Sequence, residues 1–308
     1  LWKKSKEGEP FWESPWGKGR PGWHIECSAM SRKYLGETFD IHGGGEDLIF
    51  HHHENEIAQS QAATGKPLAN YWMHNGFVKI NAEKMSKSLG NISPIRDIIQ
   101  HYHPEVLRLF ILQSHYRSPV DYSDTAMKET RTALIRCYSA LQLMKETKDK
   151  LDSRSGDSLL SDQSGYVNKL EELKDQFNEA LDDDFNTAQA LGYVFETARL
   201  INNINAVEKK MEPVAKKIIL DTATGVFSHF GNVLGIFQHD PEVFFLTDRV
   251  IEAGKRGLDV SRIELMITER QKARADKDWS RADDIRRDLA SQGVILKDSA
   301  DHTTWLIE

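Results

Sequence analysis

The sequence predicts an α/β part, then an all-α part, then a small mixed α/β unit. Three observations carry this prediction. Between Gly22 and Trp72, short apolar runs alternate with helix-periodic segments around three consecutive glycines. From about Thr125 to about Phe237, long amphipathic patterns follow one another, as in a helical bundle. Beyond Pro241 come two highly charged helical segments and a short β-branched run.

In the first part, Trp23-His24-Ile25-Glu26-Cys27 reads as an extended run, Ser28 to Leu35 as a helix and Phe39-Asp40-Ile41-His42 as a second strand. Gly43, Gly44 and Gly45 then read as a turn into a helix from His52 to Ala63. A glycine turn between strand and helix lets a ligand approach the backbone, and the helix N-terminus favours anions. A plain loop has the same composition. The segment from Trp72 to Asn81 reads as a hairpin turning at Asn75-Gly76. It leads into Glu83-Lys84-Met85-Ser86-Lys87-Ser88-Leu89-Gly90-Asn91, where two lysines among small hydroxyl residues suit a phosphate. An ordinary surface lysine loop fits equally.

Ile95 to Leu112 has one helical pattern, with Val106, Leu107, Leu109, Phe110 and Leu112 as core candidates. The bundle is predicted as Ala126 to Thr147, a polar break at Asp152 to Ser164, Tyr166 to Leu181, Asn186 to Asn205 and Lys209 to Phe237. A linker containing Pro241 follows, then helices at Val260 to Ala275 and Trp279 to Gln292 and a strand at Val294-Ile295-Leu296. The basic residues of these two helices alternate with acids, which suits a solvated face. Trp279 among them either stacks on a base or packs under the terminal strand.

The 308 residues suffice for two or more domains, and 39% hydrophobic residues supply more than one core. The only cysteines are Cys27 and Cys137, which form no disulfide framework. Cys137 lies in a helical pattern and reads as core. No apolar run approaches the roughly 20 residues of a membrane span, so the expectation is a cytoplasmic protein without a membrane partner. A net charge of −7 argues against indiscriminate coating of nucleic acid but leaves room for a local basic surface on a shaped RNA. The chain opens at Leu1 in a Trp/Pro/Gly-rich stretch that resembles the middle of a domain, so a preceding portion is expected.

His52 and Glu56 stand four apart, so a helix projects both from one face, and Cys27 can add a thiolate from a preceding element. Sulfur, imidazole and carboxylate are ligands that zinc takes, although a His-rich helix start is also compatible with a polar surface. A zincin pair is excluded, because it needs His-Glu-x-x-His and Ile57 follows Glu56. On a regular helix His51 and His53 point about 100° away from His52, so they are expected to turn away from a metal.

Taken together, Gly22-Trp23-His24-Ile25-Glu26-Cys27-Ser28-Ala29-Met30, Asp40-Ile41-His42-Gly43-Gly44-Gly45, His52-His53-Glu54-Asn55-Glu56 and Lys84-Met85-Ser86-Lys87-Ser88 resemble cysteinyl-tRNA synthetase, a class I aminoacyl-tRNA synthetase. Further on, Leu181-Asp182-Asp183-Asp184-Phe185-Asn186-Thr187-Ala188 resembles the family's helical-bundle motif. Asp278-Trp279, Ala282-Asp283, Gly293-Val294-Ile295-Leu296 and Thr303-Thr304-Trp305 resemble its anticodon-binding unit. The resemblance implies four parts: residues 1–75, the C-terminal part of a Rossmann-type catalytic domain with a zinc site; 76–124, the lysine loop and stem-contact segment; 125–237, the bundle; and 238–308, a linker and anticodon-binding domain.

It also implies the chemistry. ATP, with Mg2+, and L-cysteine condense to cysteinyl-adenylate, and the cysteinyl group passes to tRNA(Cys). No protein nucleophile is needed, so catalysis rests on positioning and on stabilising phosphate charge. Lys87, supported by Lys84, would lie against the ATP phosphates. Gly43, Gly44, Gly45 and Asp47 would sit where nucleotide and aminoacyl groups meet, and Trp23 and His42 would line the amino-acid pocket. Cys27, His52 and Glu56 would hold one Zn2+, which the substrate thiolate joins; an apolar pocket alone separates such near-isosteres only on the order of 10²-fold. Arg274, Trp279 and Asp283 match positions that meet the tRNA. A monomer is expected.

Two departures stand out. The family's His-Ile-Gly-His-like motif and its first zinc-ligand cysteine have no counterpart in these 308 residues, so the chain alone is expected to have little adenylation activity. Position 51 is His where the family usually has proline, which is expected to alter the helix start slightly. Two rival readings remain: a cysteine ligase of the same ancestry with an amino-sugar acceptor, and a non-catalytic tRNA-binding or zinc-binding protein.

Overall fold

The computed structural model describes residues 2–80, 83–84, 94–151, 161–206, 211–298 and 303–307. The chain divides into two compact units, residues 1–86 with 114–122 and residues 87–113 with 123–308.

The first unit opens with β1 (Trp2–Lys4) antiparallel to β2 (Gly19–Pro21), followed directly by α1 (Trp23–Leu35). The helix begins at Trp23, so the predicted extended run Trp23 to Cys27 is instead its first turn and beyond. Pro21-Gly22 ends the strand, and the Glu26 amide donates to the Gly22 carbonyl at 3.1 Å, closing the first helical turn at once. Cys27 therefore comes from a helix face. Then come β3 (Phe39–Gly45), α2 (Glu54–Thr64) and β4 (Ala69–Asn75), a βαβ unit whose strands pair in parallel from Phe39↔Ala69 to Gly45↔Asn75.

The three glycines are the end of β3, not a turn, because they continue the ladder opposite Met73, His74 and Asn75. Their smallness serves close packing. A Cβ on Gly44 would stand 2.8 Å from His53 Cε1 and 3.1 Å from Leu48 Cδ1. The chain turns after them, through one 3₁₀ turn at Glu46–Leu48 and a kink at Phe50 and His51. His51 has φ 75°, a left-handed conformation closed to proline, so this helix entry differs from one built around a proline.

Asn75-Gly76 does not make a hairpin either. β5 (Val78–Ile80) leaves β4 and lies between β6 (Glu83–Lys84) and β7 (Val120–Tyr122), antiparallel to the first and parallel to the second. Gly76 is needed because its amide donates to Tyr116 O at 2.8 Å, and a Cβ there would meet the Ser118 backbone at 2.4 Å.

The second unit is helical. The single helix predicted from Ile95 is two, α3 (Ile95–Ile98) and α4 (Pro104–Leu112), because Pro104 forces the preceding residue out of the helical region and starts a new helix at its first position. The bundle follows: α5 (Asp124–Lys150), capped by Ser123, α6 (Ser161–Asp182), α7 (Thr187–Ala206) and α8 (Pro213–Leu234). Its interior is filled by Leu134, Tyr138, Leu170, Phe177, Leu191, Phe227 and Phe230, with Cys137 buried as expected. The expected linker at Pro241 is a helix, α9 (Pro241–Lys255). Pro241 occupies its first position and the Asp240 carboxylate caps the Glu242 amide at 2.9 Å, so the proline starts a helix here. A last layer comprises α10 (Val260–Ala275), α11 (Trp279–Ser291) and the antiparallel pair β8 (Val294–Asp298) and β9 (Thr303–Ile307), closed over Ile263, Ile267, Ile285, Leu289 and Trp305.

Two buried polar hubs fix these layers. Glu105 accepts the Tyr138 hydroxyl at 2.9 Å and the Phe237 and Gln238 amides at 2.8 and 3.0 Å, tying α4, α5 and the end of α8 together. Arg131 grips Asp248 through two bonds of 2.8 and 2.6 Å, joining α5 to α9.

Gly44→Ala is expected to displace the His53 ring and destabilise the first unit by about 1–3 kcal/mol, read from urea unfolding of the isolated variant against wild type. Arg131→Met leaves the buried Asp248 carboxylate unpaired and is expected to cost about 3–5 kcal/mol, while adding Asp248→Leu recovers most of that loss in the same measurement.

Candidate functional site

The βαβ unit and the helix before it gather a set of donor side chains in one place. Helix α1 brings Trp23, His24 and Cys27; β3 brings His42; the kinked turn and α2 bring His52, His53 and Glu56; β4 brings Trp72 and His74. At the centre is Glu56, 1% exposed. Its Oε2 lies 2.8 Å from His42 Nε2 and its Oε1 3.3 Å from His52 Nε2.

The Oε1 atom is fully buried, and despite its proximity to His52 no group is oriented to hydrogen-bond it. A carboxylate oxygen removed from water without a donor is costly, and a cation offsets that cost. Cys27, His52 and Glu56 each offer a ligand atom within 4.8 Å of the others, as do His42, His53 and Glu56. The donor set, the burial and the orphaned oxygen fit a metal at the first triplet. There the two carboxylate oxygens divide their work, Oε1 facing the triplet and Oε2 held from behind by His42.

The imidazoles are linked outward in pairs. His24 Nδ1 and His52 Nδ1 are 2.8 Å apart, leaving His52 Nε2 directed at Glu56, and His53 Nδ1 lies 2.7 Å from His74 Nε2. The Trp23 ring packs on His52 at 4.2 Å between centroids, and Trp72 packs against His42 and His53. Burial, helped by the neighbouring His42, pushes the His53 pKa down to about 4, and burial also lowers His24 and His74. These rings are neutral at neutral pH. Burial and the negative Glu56 raise the Cys27 thiol pKa, so a cation is what would favour its thiolate here.

Cys27, His52 and Glu56 are thus brought together as the spacing predicted. His53 stands outside that triplet and is buried, 3% exposed, in a second group with His42 and Glu56. The kink at Phe50 and His51 lies before His52, so the rotation of about 100° from His52 to His53 holds, and it carries the His53 ring to the strand side, against His42, Trp72 and His74. His51 itself is exposed. His24, His53 and His74 were missed, and their only signal was the density of histidine around the glycine run.

Among the other predicted residues, Trp23 is half-exposed at the rim and His42 faces Glu56. Gly43 to Gly45 end β3 beside an exposed Asp47. Lys84 lies in β6, and Lys87 is outside the described residues. In the second unit Trp279 is 59% exposed at the start of α11 and Asp283 is exposed, so Trp279 does not pack under the terminal strand; Trp305 occupies that position. Arg274 lies 3.1 Å from Asp298, which also takes a two-pronged bond from the buried Arg270.

Comparison with known proteins agrees with this geometry. Residues 1–132 match the family described as tRNA synthetases class I (C) catalytic domain, residues 176–238 the DALR domain, and residues 261–305 the cysteinyl-tRNA ligase anticodon binding domain. The proteins named "Cysteine--tRNA ligase" of Geobacter sulfurreducens and Thermodesulfovibrio yellowstonii are each 51% identical over 308 residues, covering 100% of this chain and 62% of their own length. The chain thus spans about three-fifths of the curated relatives it matches. Two solved structures share the fold at low identity: LeuRS of Agrobacterium radiobacter in a LeuRS-tRNA-LeuAMS complex (TM-score 0.52, 16% identity, 73% of this chain and 32% of that one), and a putative arginyl tRNA synthetase of Campylobacter jejuni (TM-score 0.53, 13%, 77% and 58%). With its full length matched by such relatives, the chain belongs to the cysteinyl-tRNA synthetase family of class I synthetases.

Proposed function

We propose that this chain supplies the cysteine-recognition site and the tRNA-binding surfaces of a ligase that activates L-cysteine with ATP and transfers it to tRNA(Cys). The observation that carries this reading is the convergence of Cys27, His52 and the orphaned Oε1 of Glu56 in one buried pocket. These three residues would hold Zn2+. When bound, zinc prefers a thiolate over a neutral alcohol and so separates cysteine from serine.

The chain's own residues do the rest. His42 fixes Glu56 through Oε2, His24 fixes the ring of His52 through Nδ1, and Trp23 covers that ring at the rim. Trp23 is half-exposed at the rim, the side from which an amino acid would reach these residues. Lys87, with Lys84, is assigned to the phosphates of ATP and its Mg2+, and Gly43 to Gly45 with Asp47 to the junction between nucleotide and amino acid. The four parts are residues 1–75, 76–124, 125–237 and 238–308. In the last, exposed Trp279 and Asp283, with Arg274, meet the tRNA; the match of residues 261–305 to an anticodon-binding domain supports this and disfavours an amino-sugar acceptor. No described helix is long and apolar enough to cross a membrane, and we assign the protein to the cytoplasm as a monomer.

The test is ATP–pyrophosphate exchange by the full-length protein, with bound zinc measured in parallel. Wild type is expected to prefer cysteine over serine by on the order of 10⁴ or more, and Glu56→Gln or Cys27→Ser to lose bound zinc together with most of that preference. The 308 residues alone, which contain no His-Ile-Gly-His-like motif, are expected to show little exchange. Absence of cysteine-dependent exchange in the full-length protein, or full selectivity without zinc, would overturn the reading.

A further inference from the structure

Away from the histidine pocket, helices α5 and α7 enclose a groove of about 420 Å³ lined by Ala133, Arg136 and Cys137 on one side and by Phe195, Ala198, Arg199 and Asn202 on the other. The spacing is that of two facing helical stripes, i, i+3, i+4 on α5 and i, i+3, i+4, i+7 on α7. Small residues at Ala133 and Ala198 leave the space open, and Cys137, 1% exposed, lies at its floor. No acidic residue lines it.

In the second unit Arg131, Arg270, Arg274, Arg281 and Arg287 are each held by a carboxylate, whereas other arginines, Arg136 and Arg199 among them, are not; what sets these two apart is that they share one groove. Arg136 and Arg199 have no ion-pair partner among the described residues, and both are exposed with their guanidinium groups free to accept one. In a chain of net charge −7, a groove with two unneutralised guanidiniums and no carboxylate is a local positive site. A guanidinium offers a planar fork of donors that matches phosphate oxygens, and Asn202 adds an amide at the same rim. The groove is partly open to solvent, which suits a phosphate carried on a polymer.

We propose that Arg136 and Arg199 form a backbone-binding site for a phosphodiester of the tRNA, separate from the Trp279 surface. This rests on the proposed tRNA partner. The contact contributes affinity and position and carries no base information.

The experiment measures tRNA(Cys) binding by the full-length protein across a salt series, for wild type, Arg136→Gln/Arg199→Gln and Trp279→Ala. Circular dichroism and thermal unfolding establish that each variant is folded, and Arg136→Lys/Arg199→Lys stands in should the glutamine pair unfold. The double glutamine variant is expected to bind about tenfold or more weaker at low salt, with its log-affinity against log-salt slope reduced by about two. The lysine pair keeps the slope, because the charges remain, and loses part of the affinity. Trp279→Ala is expected to lose affinity with the slope unchanged, since stacking releases no counterions. If wild type binds tRNA and the glutamine pair binds with the same affinity and slope, the groove proposal is overturned. If wild type itself fails to bind tRNA, the proposed partner fails instead. Competition by millimolar inorganic phosphate that matches the effect of the glutamine pair would identify a small-anion site and likewise overturn the polymer contact.

Discussion

The first unit is organised around one buried carboxylate. Glu56, 1% exposed, has been removed from water with only one of its oxygens hydrogen-bonded, and burial of a charge in that state is tolerated only where a compensating charge is at hand. Everything nearby serves that requirement. The βαβ unit brings His42 to one oxygen, the kink and α2 bring His52 near the other, and α1 delivers the thiol. A smaller set of polar residues would leave a buried charge unpaired; an apolar replacement would remove the pocket's chemistry.

The layer around this carboxylate explains why so many histidines and so few aliphatic residues fill the unit. Its apolar cluster consists of Phe39, Leu68 and Ala69 with Trp72 packed on it. Imidazole rings paired Nδ1 to Nδ1 or Nδ1 to Nε2 replace the usual methyl groups, and burial lowers the pKa values of His24, His53 and His74. Gly44 completes the packing by having no Cβ where His53 lies. Ring orientation and backbone are thereby coupled, and the donor atoms of Cys27, His52 and Glu56 are held within 4.8 Å of one another.

Sequence alone made the proximity of His52 and Glu56 legible, because the four-residue spacing falls on regular helical backbone. The bundle and the charged C-terminal helices were legible for a similar reason, since their apolar periodicity extends over many turns. What was not legible depended on contacts far along the chain. The glycines read as a turn because nothing local reveals that β4 will pair with them through Gly45↔Asn75. Asn75-Gly76 read as a hairpin because its true partner, Tyr116, is forty residues away. His53 read as turned away from the metal residues, and nothing local reveals that the side it turns to is covered by His42, Trp72 and His74. Pro241 read as a linker, although an aspartate before a proline is also how a helix begins.

The buried carboxylate, His52 and Cys27 are proposed to form a site that recognises sulfur through a metal. Zinc-edge X-ray absorption of the full-length protein tests it most directly. Cys27→Ser is expected to remove one sulfur from the zinc environment, and cysteine added to wild type to contribute one more while serine does not. Coordination unchanged by the substitution and by the amino acid would contradict it.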